Sequence, residues 1–112
     1  LCVKRLRFID NEPINIFTSY FPSDIGIRED HDFSGSVYQL LEEEYGIRIA
    51  QAERTIEAIQ ATKEEADMLG IKAGDALLLI RNSTLNHQGR VIEYAEGVYR
   101  SDRYKYVMHL KR

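Results

Sequence analysis

Apolar and polar residues alternate from position 3 to 9, and β-branched and aromatic residues crowd positions 14–20. Both stretches predict strands. Asp10-Asn11-Glu12-Pro13 lies between them, and Asp and Asn favour side-chain bonds to nearby backbone, so the pair reads as a hairpin. Residues 22–34 form a polar loop with the acidic run Glu29, Asp30 and Asp32. Val37, Leu40, Leu41 and Tyr45 then fall at helical spacing, which predicts a helix over 36–45, capped by Ser34 or Ser36 and stopped by Gly46. Residues 47–60 fit two templates. Ile47 and Ile49 alternate as in a strand, whereas Ala52, Ile56 and Ile59 also suit a helix; a strand whose alternation shifts at a bulge is the preferred reading. Thr62-Lys63-Glu64-Glu65 is a capping box opening a short helix through Leu69, closed by Gly70. Residues 76–86 and 91–100 read as strands joined by a turn at His87-Gln88-Gly89, and 104–110 as a closing strand after a turn at Ser101-Asp102. This order predicts an α+β fold, an antiparallel sheet with helices packed on one face.

Strand parity locates the polar chemistry. Residues two apart in a strand share a face. Arg5 and Arg7 point one way, Leu6 and Phe8 the other; Glu93, Ala95, Gly97 and Tyr99 share a face, with Ile92, Tyr94 and Val98 opposite. One sheet face is therefore apolar, and the other carries two arginines, a glutamate, a tyrosine and two small residues. A guanidinium fork gives paired charge-assisted bonds to phosphate or carboxylate. By spacing alone, a solvated strand face with surface ion pairs is the commoner explanation of such a pair. Mid-strand Gly97 marks a close approach by a ligand or backbone. Ser36 and Tyr38 open the first helix, where free amides favour anions, although by themselves capping by Ser36 and packing by Tyr38 are much the commoner explanation.

Composition narrows the class. The 112 residues match one domain with its own core, and 44% hydrophobic and 29% charged residues are ordinary for a soluble globular protein. No apolar run approaches the length of a membrane span. Cys2 is the single cysteine, which precludes an internal disulfide and favours a reducing, cytoplasmic setting. The net charge of −3 is unlike the basic excess of a free-standing nucleic-acid binder. Arg100, Arg103, Lys105, Lys111 and Arg112 cluster near the end, and an ordinary charged strand face explains them. His31, His87 and His109 lack metal-ligand spacing, and no phosphate-cradling glycine loop, nucleophile elbow or zinc pattern occurs, so no metal and no cofactor are expected.

The ordered set Arg5-Leu6-Arg7, Asp10-Asn11-Glu12-Pro13, Thr18-Ser19-Tyr20-Phe21-Pro22, Ser36-Val37-Tyr38-Gln39-Leu40-Leu41, Tyr45-Gly46-Ile47, Gly89-Arg90-Val91-Ile92-Glu93-Tyr94 and Tyr99-Arg100-Ser101-Asp102-Arg103-Tyr104 resembles the UTRA domain, the effector-binding half of HutC-type regulators in the GntR family. The likeness covers nearly the whole chain. It implies a chorismate-lyase-like α+β fold and a long strand over 47–60. It also implies a homodimeric bacterial repressor whose winged helix-turn-helix binds operator DNA. That module and the first elements of the effector domain are expected to lie outside these residues. Effectors of the family include sugar phosphates and small organic acids. By position, the resemblance assigns an effector's anionic group to Arg5 and Arg7, completed by Ser36 and Tyr38, and the rest of the effector to Glu93 and Tyr99. Phe17 departs from the pattern, since the family often has Glu there. Parity with Asn15 and Ser19 brings Phe17 to the polar face, where it removes an acceptor for sugar hydroxyls and adds an apolar wall. Stacking on the effector and packing beneath another segment are equally compatible with it. Two other functions stay open at this level: a lyase-like enzyme using the arginine pair and Glu93, and a dimerisation domain whose pocket Phe17 fills.

Overall fold

A computed structural model describes residues 1–28 and 37–111. Five strands, β1 (Cys2–Ile9), β2 (Glu12–Tyr20), β3 (Ile49–Gln60), β4 (Ala76–Asn86) and β5 (Val91–Arg100), make one sheet in the order β1-β2-β5-β4-β3, every pair antiparallel. Helix α1 (Val37–Tyr45) precedes β3 and α2 (Lys63–Leu69) follows it. The α+β class and antiparallel sheet agree with the sequence pattern.

Local chemistry explains each element. Ile9 pairs with Glu12 across a two-residue turn in which Asp10 and Asn11 both adopt positive φ, 51° and 65°. Asn and Asp tolerate that region, and the primed turn it makes matches the strand twist. In the capping box the Glu65 amide donates to Thr62 Oγ1 at 3.2 Å, and the Thr62 amide donates to Glu65 Oε1 at 2.9 Å. Residues 47–60 resolve as a strand, with a register shift between Ile49 and Gln51 that accounts for the mixed periodicity. β3 is a sheet edge exposed along most of its length, so no apolar face disciplines its sequence.

The two helices divide the sheet between them, which refines the single-face placement. Ala66 and Leu69 of α2 bury against Ile16, Leu77 and Val98 on the apolar face. Leu41 of α1, fully buried, packs with Phe21, Ile27 and Ile92 at one end of the other face. Ile92 joins this second cluster because a register shift between Thr84 and Leu85 falls opposite it and breaks the β5 alternation.

One element differs from expectation. Residues 104–110 are not a strand. Alternation makes a strand only where a partner edge offers hydrogen bonds, and this segment pairs with none of the five strands. The basic cluster near it dissolves as well. Arg100 is buried, donates to the carbonyls of Pro13 and Leu69, and grips Asp102 through two bonds of 3.0 and 2.8 Å, while Arg103 pairs with Glu12 at 3.1 Å. Lys111 is exposed, and Arg112 lies outside the described residues.

Candidate functional site

Cross-strand register assembles the polar face. Arg5 pairs with Phe17, Phe17 with Gly97, and Gly97 with Ile80, forming one row across four strands. Neighbouring rows run Arg7–Asn15–Tyr99 and Ser19–Ala95–Asn82–Arg54. Above them opens a cavity of about 330 Å³, at the small end for ligand pockets. Arg5, Arg7, Phe17, Glu93 and Tyr99 all line it, and α1 contributes Tyr38. Ser36 lies outside the described residues.

The charges on this face have few opposites. Glu93 is the one carboxylate in the described lining, 3% exposed, against Arg5, Arg7 and Arg54. Burial pushes the Glu93 carboxyl above its ordinary pKa, while the neighbouring Ser19 hydroxyl and the Arg5 charge pull it back. Geometry stops short of a hydrogen bond there: Glu93 Oε2 and Ser19 Oγ are both buried without a partner among the described residues. Burial and the adjacent Arg7 charge depress the Arg5 pKa, with Glu93 and Tyr99 opposing. Both guanidiniums also lie over the Phe17 ring, Arg5 at 5.0 Å and Arg7 at 5.9 Å from its centroid. Such contacts contribute about 0.5–2 kcal/mol, depending on desolvation. Phe17 thus helps to orient the arginine pair and lines the cavity without filling it.

Gly97 has a local cause. The close approach it permits is that of the Tyr99 ring, two residues on and on the same face, rather than of backbone. With no Cβ beneath it, the Tyr99 ring lies along the sheet and stacks on Tyr104, centroids 4.3 Å apart.

Sequence reasoning missed the opposite wall. Arg54 of β3, Ile80 and Asn82 of β4, and Tyr104 and Tyr106 of the terminal segment complete the lining. Arg54 Nε donates to Asn82 Oδ1 at 3.2 Å and Nη1 donates to the Tyr106 hydroxyl at 2.9 Å. Because Arg54 takes the Asn82 oxygen, the amide NH₂ faces the Tyr38 and Thr84 hydroxyls, 3.1 Å from each. Thr84 also donates to the Tyr38 hydroxyl, again at 3.1 Å. Asn82, Thr84 and Tyr38 thus form one hydrogen-bonded cluster on this wall. A signal for Asn82 was present, since the strand face that is apolar at Ala76, Leu78 and Ile80 turns polar at Asn82 and Thr84. Tyr104 and Tyr106 fall in the segment expected to be a closing strand, and they reach the lining without forming one.

This arrangement suits binding. Among the described residues no three His, Cys, Asp or Glu side chains gather as a metal site, and no helix is long and apolar enough to cross a membrane.

Comparison with known proteins gives one consistent result. Over 112 residues the chain is 36% identical to the HTH-type transcriptional repressor NagR of Bacillus subtilis, covering 98% of this chain and 46% of that protein. The crystal structure of a GntR-family transcriptional regulator from Enterococcus faecalis superposes with a TM-score of 0.84 at 30% identity, over 96% of this chain and 78% of that one. The effector domain of PhnF from Mycobacterium smegmatis gives a TM-score of 0.83 at 26% identity, over 97% and 69%. These similar proteins are transcription regulators, whose UTRA domains bind effectors rather than catalyse. The chain spans less than half the length of the curated relatives it matches. Residues 1–105 match the UTRA domain, and the chain belongs to that family.

Proposed function

We propose that this chain is the effector-sensing part of a cytoplasmic transcriptional repressor. It holds a small anionic metabolite, a sugar phosphate or an organic acid, against the polar sheet face. It thereby controls DNA binding by a winged helix-turn-helix carried elsewhere in a longer, homodimeric protein. The observation that carries the reading is the charge balance of the cavity: three arginines face one buried carboxylate whose ionisation burial disfavours. In this assignment Arg5 and Arg7 take the anionic group, with Ser36 and Tyr38 completing its site, and Glu93 and Tyr99 take the body. Phe17 forms the wall beneath it. The volume left open beside Phe17 supports a binding pocket over a filled one. The repressor role is supported by likeness to NagR, and the outer edge of β3, which no described strand pairs, suits contact with a second copy near its exposed Ile56. A ligand acts on DNA affinity only through different affinity for the DNA-competent and incompetent states.

Calorimetric titration of the intact regulator with a panel of sugar phosphates and organic acids tests the reading. A binder is expected whose affinity falls at least tenfold in Arg5→Ala and in Arg7→Ala, the fold-change of about one charge-assisted hydrogen bond. Unchanged affinity in both variants would sink the anion-clamp assignment.

A further inference from the structure

Four arginines outside the cavity each pair with a carboxylate: Arg81 with Glu57 and Glu96, Arg90 with Asp24, Arg100 with Asp102, and Arg103 with Glu12. Arg54, on the cavity wall, is bonded differently. Its hydrogen-bond partners, the Asn82 oxygen and the Tyr106 hydroxyl, are both neutral, and no carboxylate among the described residues pairs with it. These bonds hold Nε and Nη1 and leave Nη2 without one among the described residues. Its guanidinium also sits 5.9 Å from the Tyr106 ring centroid. The side chain is therefore fixed in direction by two bonds and a ring, while no carboxylate of the described residues pairs with its charge.

Position adds to this. Arg5 and Arg7 stand on β1 and Arg54 on β3, the two outermost strands of the sheet. Their backbones are four strand spacings apart, roughly 19 Å at about 4.8 Å each, and all three side chains reach the same cavity. The floor between them is apolar or small: Phe17, Gly97, Ile80 and Ala95. Tyr99 and Tyr104 add an aromatic wall. The site is thus cationic at both ends, with a largely apolar floor between them that Glu93 and Asn82 flank.

We propose that Arg54 is a second anion anchor, so that the effector carries an anionic group at each end of a flat or apolar body, as a phosphorylated carboxylate or a dicarboxylate does. This deepens the anion-sensor reading and rests on it. Arg5 and Arg7 hold one end. Arg54 holds the other through its remaining N–H groups, beside the Tyr38 hydroxyl that the Arg54–Asn82 bond helps to orient. A neutral or singly charged metabolite leaves one end of the site unsatisfied, which gives selectivity between metabolites that share a phosphate.

Matched probe pairs test this on the intact regulator by calorimetry: phenyl phosphate against 4-carboxyphenyl phosphate, and glycerol 3-phosphate against 3-phosphoglycerate. In at least one pair the doubly anionic member is expected to bind about tenfold tighter or more, as one added charge-assisted hydrogen bond gives. Arg54→Gln is expected to erase that preference while leaving the singly anionic member within about threefold, and Tyr106→Phe, which keeps the cation, to preserve it. Equal affinity within both pairs would overturn the second anchor and leave the sensor reading standing. So would an Arg54→Gln loss that falls equally on both members, the mark of a residue that merely ties down the terminal segment. Binding of no probe at all would overturn the anion site itself and the second anchor with it.

Discussion

Gly97→Ala is expected to destabilise the domain, against the usual sign of that substitution in a strand. Gly97 has no positive φ, so alanine fits its backbone, and replacing a strand glycine ordinarily gains about 0.5–1 kcal/mol. Here the added Cβ would fall 2.5 Å from Cε1 of Tyr99, 3.0 Å from its hydroxyl oxygen and 3.1 Å from Cζ. The ring must lift by most of an ångström, and Tyr104 stacks on it at 4.3 Å. Overpacking of this kind costs about 1–3 kcal/mol, and the ring pair contributes about 0.5–1.5 kcal/mol of what is lost. Subtracting the backbone gain leaves a net loss of about 1 kcal/mol, with up to about 2 if the stack breaks. Urea denaturation measures it, and a double-mutant cycle isolates the cause. In a Tyr99→Ala background the clash is gone, and Gly97→Ala should become neutral or stabilising. A Gly97→Ala protein as stable as wild type, or a cost that persists without the Tyr99 ring, would refute the close-approach argument.

Two further outcomes follow from the cap and from the buried acid. The Glu93 carboxyl has a raised folded pKa, so the folded state binds its proton more tightly than the unfolded chain does. Stability contributed by the neutral acid is complete below the unfolded value near 4.5 and is lost as pH climbs from there through the folded pKa. Glu93→Gln removes this dependence, so denaturation midpoints across that window should tilt toward the variant as pH rises; parallel curves would contradict it. Thr62→Ala removes the acceptor of the Glu65 amide and should cost about 1 kcal/mol in the same assay, whereas a loss below about 0.3 kcal/mol would mean the box contributes nothing to α2.

The parts of the site that were legible in the sequence are those for which facing is a local property. Arg5 with Arg7, and Glu93 with Tyr99, lie on single strands, where parity alone gives a shared face. Phe17 followed the same rule from Asn15 and Ser19. The turn at Asp10-Asn11 and the box at Thr62–Glu65 were equally local, since their chemistry is complete within four residues. Composition could not reveal which strands would meet. Arg54 belongs to an edge strand exposed along most of its length, so no apolar alternation assigned it a direction. Its place in the cavity is set by the pairing Arg54 with Asn82 and Asn82 with Ala95.

The terminal segment failed for a related reason and is the more instructive case. Its two tyrosines stand two residues apart, as in a strand, and they do share a destination. But a period of two reports only that alternate side chains point alike, not that a strand edge receives the backbone. Here the segment is held by side chains instead: Tyr104 by the Tyr99 ring and Tyr106 by Arg54. Those two contacts also tie the segment to both β5 and β3 across the cavity mouth. A ligand bond to Arg54 therefore competes with, or strengthens, the contact that positions Tyr106. Tyr106→Phe consequently separates two roles that geometry joins. If Arg54 anchors the ligand by its charge, losing the phenol leaves doubly and singly anionic probes bound as before. If Arg54 serves chiefly to hold the arm, it weakens both alike.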